Sequence, residues 1–355
     1  MLRVVTEPRP QYSPHLDGLR AVSVAAVAYS HWLPGWQFGV PFGAGVHLFF
    51  VLSGFLITRI LLGLRDAPDR VPAVGRFYLR RALRLFPAFY VVLACVWAAG
   101  VPLAATTWPW HAAYLSNAYI AWQGVWQGHF SHFWSLAVEE QFYLVWPWLV
   151  VWTPGRYLPA LFGATVLLGP ASRAMADARG LSEPFWALVP GGSADSLGVG
   201  ALIAWTAWAP AWRERAAGLW PRAGLVGFAA WLALALPEWL GVPMPAGLAV
   251  WRQVLQALVF GWIVWRGVAG WTGVAGRVLG HPGVVAVGRI SYGIYLIHPF
   301  APIVLDAGLR AAGLPTSPAM GAPARALAAW LVTLALATAL WHLVERPWQV
   351  LKARI

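Results

Sequence analysis

Arg20 and His31 lie eleven positions apart in a largely apolar run, LDGLRAVSVAAVAYSHWL, at 16–33. On a helix, eleven residues make about three turns, so both side chains share one face, about 16 Å apart along the axis. In a membrane a cation and a titratable imidazole on one stripe are costly unless they face a cavity and act there. An imidazole so placed could serve as a general base. A snorkelling arginine and a hydrogen-bonded core histidine would leave the same pattern without any chemistry.

Further charged and polar groups punctuate other apolar runs. In GVHLFFVLSGFLITRIL, Ser53 and Gly54 are small residues among bulky ones, which allows a close helix approach or a ligand against the backbone. In GRFYLRRALRLFP, Arg81 and Arg84 stand at i and i+3, just ahead of a third apolar run. Two such guanidinium forks suit phosphate oxygens, and the pair could hold a pyrophosphate; charge alone favours an ordinary positive-inside anchor. In HFSHFWSLAVEEQFYLVWPWL, Glu139 and Glu140 follow Trp134 and Ser135 deep in an apolar helix. Neighbours on a helix point about 100° apart, so at most one of the two carboxylates can face a given cavity squarely. Asp195, in GGSADSLGVGALIAW, adds a third intramembrane carboxylate. GRISYGIYLIHPF places Ser291, Tyr292, Tyr295 and His298 together; the tyrosines could bind a polar ligand or line a channel, and His298-Pro299 could mark a kink. Glu345 and Arg346, in LVERPWQV, read as capping or anchoring residues.

The elements that must position these groups follow from composition. The 355 residues are 59% hydrophobic and 11% charged, with mean hydropathy +0.61, which excludes a soluble protein. Apolar runs approach the length of a bilayer crossing, and short alternating segments of a β-barrel are missing. The reading is therefore all-α: a polytopic membrane bundle of about ten transmembrane helices, in one domain over 1–355 with its bundle at 16–348. The ten segments fall at 16–33, 43–62, 85–104, 132–152, 157–173, 192–209, 223–237, 248–267, 286–305 and 325–345. The uncharged, aromatic stretch 105–131 could hold an extra or re-entrant helix. With the N-terminus inside, nineteen Lys and Arg residues fall on the inner side and four (Arg173, Arg179, Arg310, Arg325) outside. That bias places both termini in the cytoplasm. The net charge of +12 is spread in clusters between apolar segments, which fits topology and anionic headgroups rather than nucleic acid. One cysteine, Cys95, rules out an intramolecular disulfide and a thiolate cluster, and the histidines lack metal-ligand spacing.

Taken in order, Arg-x10-His, FFVLSGF, RRALRLFP, FWSLAVEEQFYL, ISYGIYLIH and VERP resemble the membrane O-acyltransferases of acyltransferase family 3, over residues 12–350. The resemblance implies a ten-helix bundle in a bacterial inner membrane that carries an acyl group, chiefly acetyl, from cytoplasmic acyl-CoA to a hydroxyl of a saccharide or glycosylated acceptor. Carried over by position, His31 corresponds to the essential histidine and Arg20 to its arginine. Arg81 and Arg84 correspond to the pair implicated in CoA binding, Ser53 and Gly54 to the small-residue motif, and Glu139 and Glu140 to the acidic pair. Where many members carry Arg-Ala-Asp, this chain reads Ser193-Ala194-Asp195, so any role of that arginine is absent or moved. A C-terminal extracytoplasmic hydrolase-like domain, found in some members, is not expected here.

The mechanism expected from these residues has His31 as general base, oriented by an intramembrane carboxylate; an acyl-histidine intermediate stays open. Arg20, Glu139 and Glu140 join it in the catalytic set. Arg81, Arg84, Ser53 and Gly54 hold the donor, and Trp134, Ser135, Asp195, Tyr292 and Tyr295 meet the acceptor. Acyl-CoA enters as co-substrate, with no permanently bound cofactor and no metal. The expected partners are acyl-CoA, the acceptor and the bilayer; a homo-oligomer stays open. The rival class is a secondary transporter, with Arg20, His31, Glu139 and Asp195 lining a proton or anion path, but inverted repeats that would favour it are missing.

Overall fold

Pro14 in the first turn, Asp17 beside it and an apolar run of Ala, Leu and Val start a helix at the expected place, α1 (Pro14–Trp32). Ser13 has the extended backbone of an N-cap, yet its hydroxyl donates to the Gly267 carbonyl at 2.7 Å, tying the helix entry to a distant element. The computed structural model describes residues 12–181, 190–242 and 246–352. Among these, every regular element is helical and no strand occurs.

After α1 come α2 (Gly45–Leu64), α3 (Arg70–Ala98), α4 (Ala104–Ala112), α5 (Ser116–Gln123) and α6 (Phe133–Trp152). Then follow α7 (Leu158–Ala178), α8 (Ala194–Trp208), α9 (Pro210–Trp239) and α10 (Arg252–Ala269). The last third holds α11 (Gly273–Leu279), α12 (Pro282–Arg289), α13 (Ser291–Ile297), α14 (Ala301–Ala311) and α15 (Ala322–Leu340). A π-helical turn, Trp341–Glu345, joins α15 to α16 (Arg346–Lys352).

Among the described residues five helices are long and apolar enough to cross a membrane, or six if the bent pair α13 with α14 counts as one span, against the ten expected. Most expected segments have a helix at their place, but several boundaries moved. The third helix starts at Arg70 rather than 85, so the arginine run is helical and continuous with the apolar part of α3 instead of preceding it in a loop. Arg and Leu are good helix formers, and the next strong breaker, Pro87, is accommodated inside α3. The stretch 105–131 contains two short helices, α4 and α5, neither long enough to cross. The segment at 286–305 is broken: α13 ends before His298-Pro299, and α14 leaves at 67°. Proline lacks the N–H a continuing helix needs, so the kink lies where the dipeptide predicts.

Two apolar cores share α1 and α6. Leu16 and Leu19 of α1 join Tyr143, Trp146 and Val150 of α6 in one core with α2, α8 and α10. Val24 and Val27 of α1 join Phe133, Leu136 and Ala137 of α6 in the other, against Phe89 of α3 and Ile294 of α13. Outward-facing Leu144, Val145, Leu225, Val226, Leu327 and Leu331 are exposed, as side chains that meet lipid would be.

A close crossing joins α2 and α8. A Cβ on Gly54 would collide with the Leu197 backbone, and one on Gly200 with the backbone of Val51 and Phe55. These two glycines let the helices touch main chain to main chain. Gly54→Val is therefore expected to cost about 1–3 kcal/mol through overpacking. Thermal unfolding in detergent checks this; an unchanged Tm would show that the crossing tolerates a side chain.

Candidate active site

Near one end of α1 lies a cavity of about 450 Å3 with a cationic wall. Arg20 of α1, Arg76, Arg80, Arg81 and Arg84 of α3, and Lys352 of α16 line it, with Ser53, Glu139, Ser135, Tyr292 and Tyr295. The helical course of α3 explains the cluster: positions 76, 80 and 84 recur every four residues and share a face, and 81 lies beside them. Lys352 joins from the last helix, and no local signal in the sequence marked it for this site.

Anionic groups offset part of this charge. Glu140 does not line the cavity; its Oε1 lies 3.6 Å from Arg81 Nε, forming an ion pair behind the wall. Glu139, one position earlier, does line the cavity and accepts a hydrogen bond from the Tyr143 hydroxyl at 3.0 Å. That division is what the 100° step between neighbours requires. Arg81 also lies over the Tyr143 ring, 3.3 Å from its centroid, a cation–π contact that holds the guanidinium in place. Tyr143 in turn bonds the Ser53 hydroxyl, so Ser53 belongs to this wall while Gly54 belongs to the helix crossing. Arg20 lies 3.8 Å from Asp17, one turn away. Glu345, in the π-helical turn, is buried with Oε1 unbonded, and its charge acts on Arg84 and Arg20. Its sequence reading as a cap is therefore corrected: it is a buried counter-charge, projected inward by the π turn.

A second, larger cavity of about 1340 Å3 lies beyond Tyr295, which lines both. His31, His47, His132, Trp126, Trp134, Trp231 and Trp239 contribute to its wall, together with Gln37, Gln253 and Gln256. The Tyr295 hydroxyl is bonded to Ser135 Oγ at 2.6 Å and to the His132 carbonyl at 3.1 Å, so it forms part of the partition between the two spaces. Tyr292 stays on the cationic side, donating to the Leu85 carbonyl at 3.0 Å. A third cavity, of about 370 Å3, also opens beside His31. Thus one helix carries Arg20 to the cationic cavity and His31 to the aromatic one, as the shared stripe requires.

The partner of His31 corrects an expectation. Its Nδ1 lies 2.8 Å from Nε2 of His298, not against a carboxylate. The carboxylates are spent elsewhere: Glu139 on Tyr143, Glu140 on Arg81, and Asp195 on Arg173. Asp195 is fully buried and lines none of these cavities. Arg173 Nη2 meets it at 2.6 Å, while Nε and Nη1 donate to the carbonyls of Val250 and Gly192. Gln253 bridges Asp195 Oδ1 at 3.1 Å and His47 Nδ1 at 3.2 Å. Arg173 is therefore a buried helix residue rather than an external loop charge. It supplies, from α7, an arginine for the Asp that Ser193-Ala194-Asp195 lacks locally. A deeply buried pair survives only when its donors and acceptors are satisfied, and here nearly all are.

Among the described residues no three His, Cys, Asp or Glu side chains gather as a metal site. Residues 14–342 match the family model described as an acyltransferase domain, Acyl_transf_3. The chain belongs to this family. It is an integral membrane protein of the acyltransferase class, with only helices as regular elements among the described residues. Over 153 residues it is 38% identical to the peptidoglycan O-acetyltransferase OatA of Listeria monocytogenes, covering 39% of this chain and 24% of that protein. Over 171 residues it is 36% identical to Bacillus subtilis YrhL, provisionally named a peptidoglycan O-acetyltransferase, covering 40% of this chain and 24% of that one. The matched segments thus span about a quarter of these relatives' length. No solved structure matches the chain.

Proposed function

We propose that this protein transfers an acyl group, chiefly acetyl, from acyl-CoA to a hydroxyl of a saccharide or glycoconjugate. The observation that supports this reading best is the pair of cavities meeting at Tyr295, one walled by arginines and the other containing His31. In this reading Arg81 and Arg84, with Arg20 and Lys352, hold the donor's phosphates. Guanidinium forks match phosphate oxygens, and an anionic occupant relieves their mutual repulsion. The pantetheine arm then extends past Ser53 and Tyr295 to bring the thioester to His31. In the larger cavity, tryptophan faces suit the apolar faces of a sugar ring, and the glutamine amides suit its hydroxyls.

The transfer itself needs one base. His31 Nε2 takes the proton of the acceptor hydroxyl as its oxygen attacks the thioester carbonyl carbon. The C–O bond forms, the C–S bond breaks, and the proton passes from His31 to the departing CoA thiolate. The products are an O-acyl ester and free CoA. A general base in this position does not require a permanently bound cofactor.

The membrane arrangement proposed with this reaction has about ten crossings in a bacterial inner membrane, with both termini and the cationic cavity facing the cytoplasm. The inward bias of Lys and Arg favours that orientation, and the burial of Arg173 removes one of the four outer exceptions. OatA and YrhL carry peptidoglycan in their names, which makes a cell-envelope glycan the first acceptor to test.

The experiment is direct. Purified protein in nanodiscs is given acetyl-labelled acetyl-CoA with peptidoglycan fragments or other saccharides. Label should move to alkali-labile ester on the saccharide, with one CoA thiol released per ester. Donor that is bound and released unchanged across such acceptors would overturn the reading.

A further inference from the structure

His298 is buried at the break between α13 and α14, and the hydrogen bonds around it define its proton. Its Nδ1 is 2.8 Å from the Tyr295 carbonyl oxygen. A carbonyl only accepts, so Nδ1 bears the hydrogen, and in the neutral ring Nε2 is left as an acceptor. That Nε2 is 2.8 Å from Nδ1 of His31, which must then be the donor. His31 is left with its lone pair on Nε2, a nitrogen that bonds no protein group among the described residues. The two ring planes lie within 13° of parallel with centroids 5.0 Å apart, an edge-to-edge arrangement that suits an in-plane N–H···N bond, and Trp32 Nε1 donates to the His298 carbonyl, pinning the bend.

We infer that His298 is a positioning residue that holds His31 in its Nδ1–H tautomer and so presents the Nε2 lone pair to the acceptor hydroxyl. The inference rests on His31 being the base proposed above. A free imidazole mixes both tautomers, and the wrong one has no lone pair where the proton must arrive. In Ser-His-Asp enzymes a buried carboxylate selects the tautomer. Here a neutral imidazole does so, which avoids placing another charge in the apolar bundle. The proline after His298 and the kink it makes have a purpose in this arrangement: they end α13 where the ring can turn back to Tyr295 and across to α1.

Two amides test this in the full chain. His298→Asn can keep the bond to Tyr295 but is too short to reach His31. His298→Gln carries its amide oxygen about as far as Nε2 and can accept from His31 Nδ1. Turnover of acetyl-CoA and saccharide should fall roughly tenfold in the Asn variant, with the donor KM little changed, and the Gln variant should recover most of the loss. In a His31→Ala background, adding His298→Asn should cost nothing more, because its effect passes through His31. Equal turnover of the Asn and Gln variants, each folded by thermal melt, would overturn the inference, as would an additional loss in the His31→Ala background. Should His31→Ala alone retain normal turnover, the base itself is wrong and both readings fall. A dead His31→Ala beside a fully active His298→Asn removes His298 alone.

Discussion

Replacing His31 with alanine is expected to lower turnover by roughly 10²–10⁴, the range for a lost general base, while leaving acyl-CoA binding intact. The separation follows from the geometry. His31 lines the aromatic cavity and the small one beside it, whereas the arginine wall that would hold the donor lies at the other end of α1. Its ring is also exposed within the cavity, so truncation removes little core packing. If His31 served packing alone, the change would cost stability, about 1–3 kcal/mol, and leave turnover per folded molecule nearly normal. Binding of a CoA analogue and single-turnover transfer, measured on the same nanodisc preparation, tell the two apart. Normal transfer by folded mutant protein would remove His31 from the mechanism.

Arg84→Ala is expected to raise the KM for acetyl-CoA by about 10–100-fold, equivalent to roughly 1.5–3 kcal/mol of lost hydrogen bonding to a charged group. Arg84 faces repulsion from both Arg20 and Arg81, with Glu345 as its main offset. Removing it should therefore relieve the empty protein, and the penalty should appear only with an anionic donor. Acetyl-pantetheine, which lacks the nucleotide phosphates, supplies the control: its KM should be the same in wild type and Arg84→Ala. An unchanged KM for acetyl-CoA would return the cluster to a membrane-anchor role.

Much of the fold was legible because its signals are local. Long apolar runs with few charges locate helices, and the His298-Pro299 dipeptide located a kink. The boundaries of α3 were harder. A run rich in arginine looks like a loop to a hydropathy reading, yet arginine favours helix, and Pro72 lies in the first turn of α3, where proline is tolerated. The order of motifs was equally legible, and the family match over 14–342 agrees with the resemblance they carried.

By itself, then, the sequence determined the helical membrane class, the family and the stripe joining Arg20 to His31, since each depends on residue type and on spacing along one helix. Which way each helix turns toward its neighbours was decided only by the tertiary structure. A period of 3.6 says that Glu139 and Glu140 face differently, but packing chooses Glu139 for the cavity and Glu140 for Arg81. The same holds for Gly54, whose missing side chain admits Leu197 rather than a ligand. Partners far apart in the chain were beyond any local signal: Arg173 with Asp195, Lys352 with the α3 arginines, and His31 with His298, 267 residues on. These pairings depend on how the bundle closes, because a buried charge or ring nitrogen takes its partner from whichever helix packs beside it.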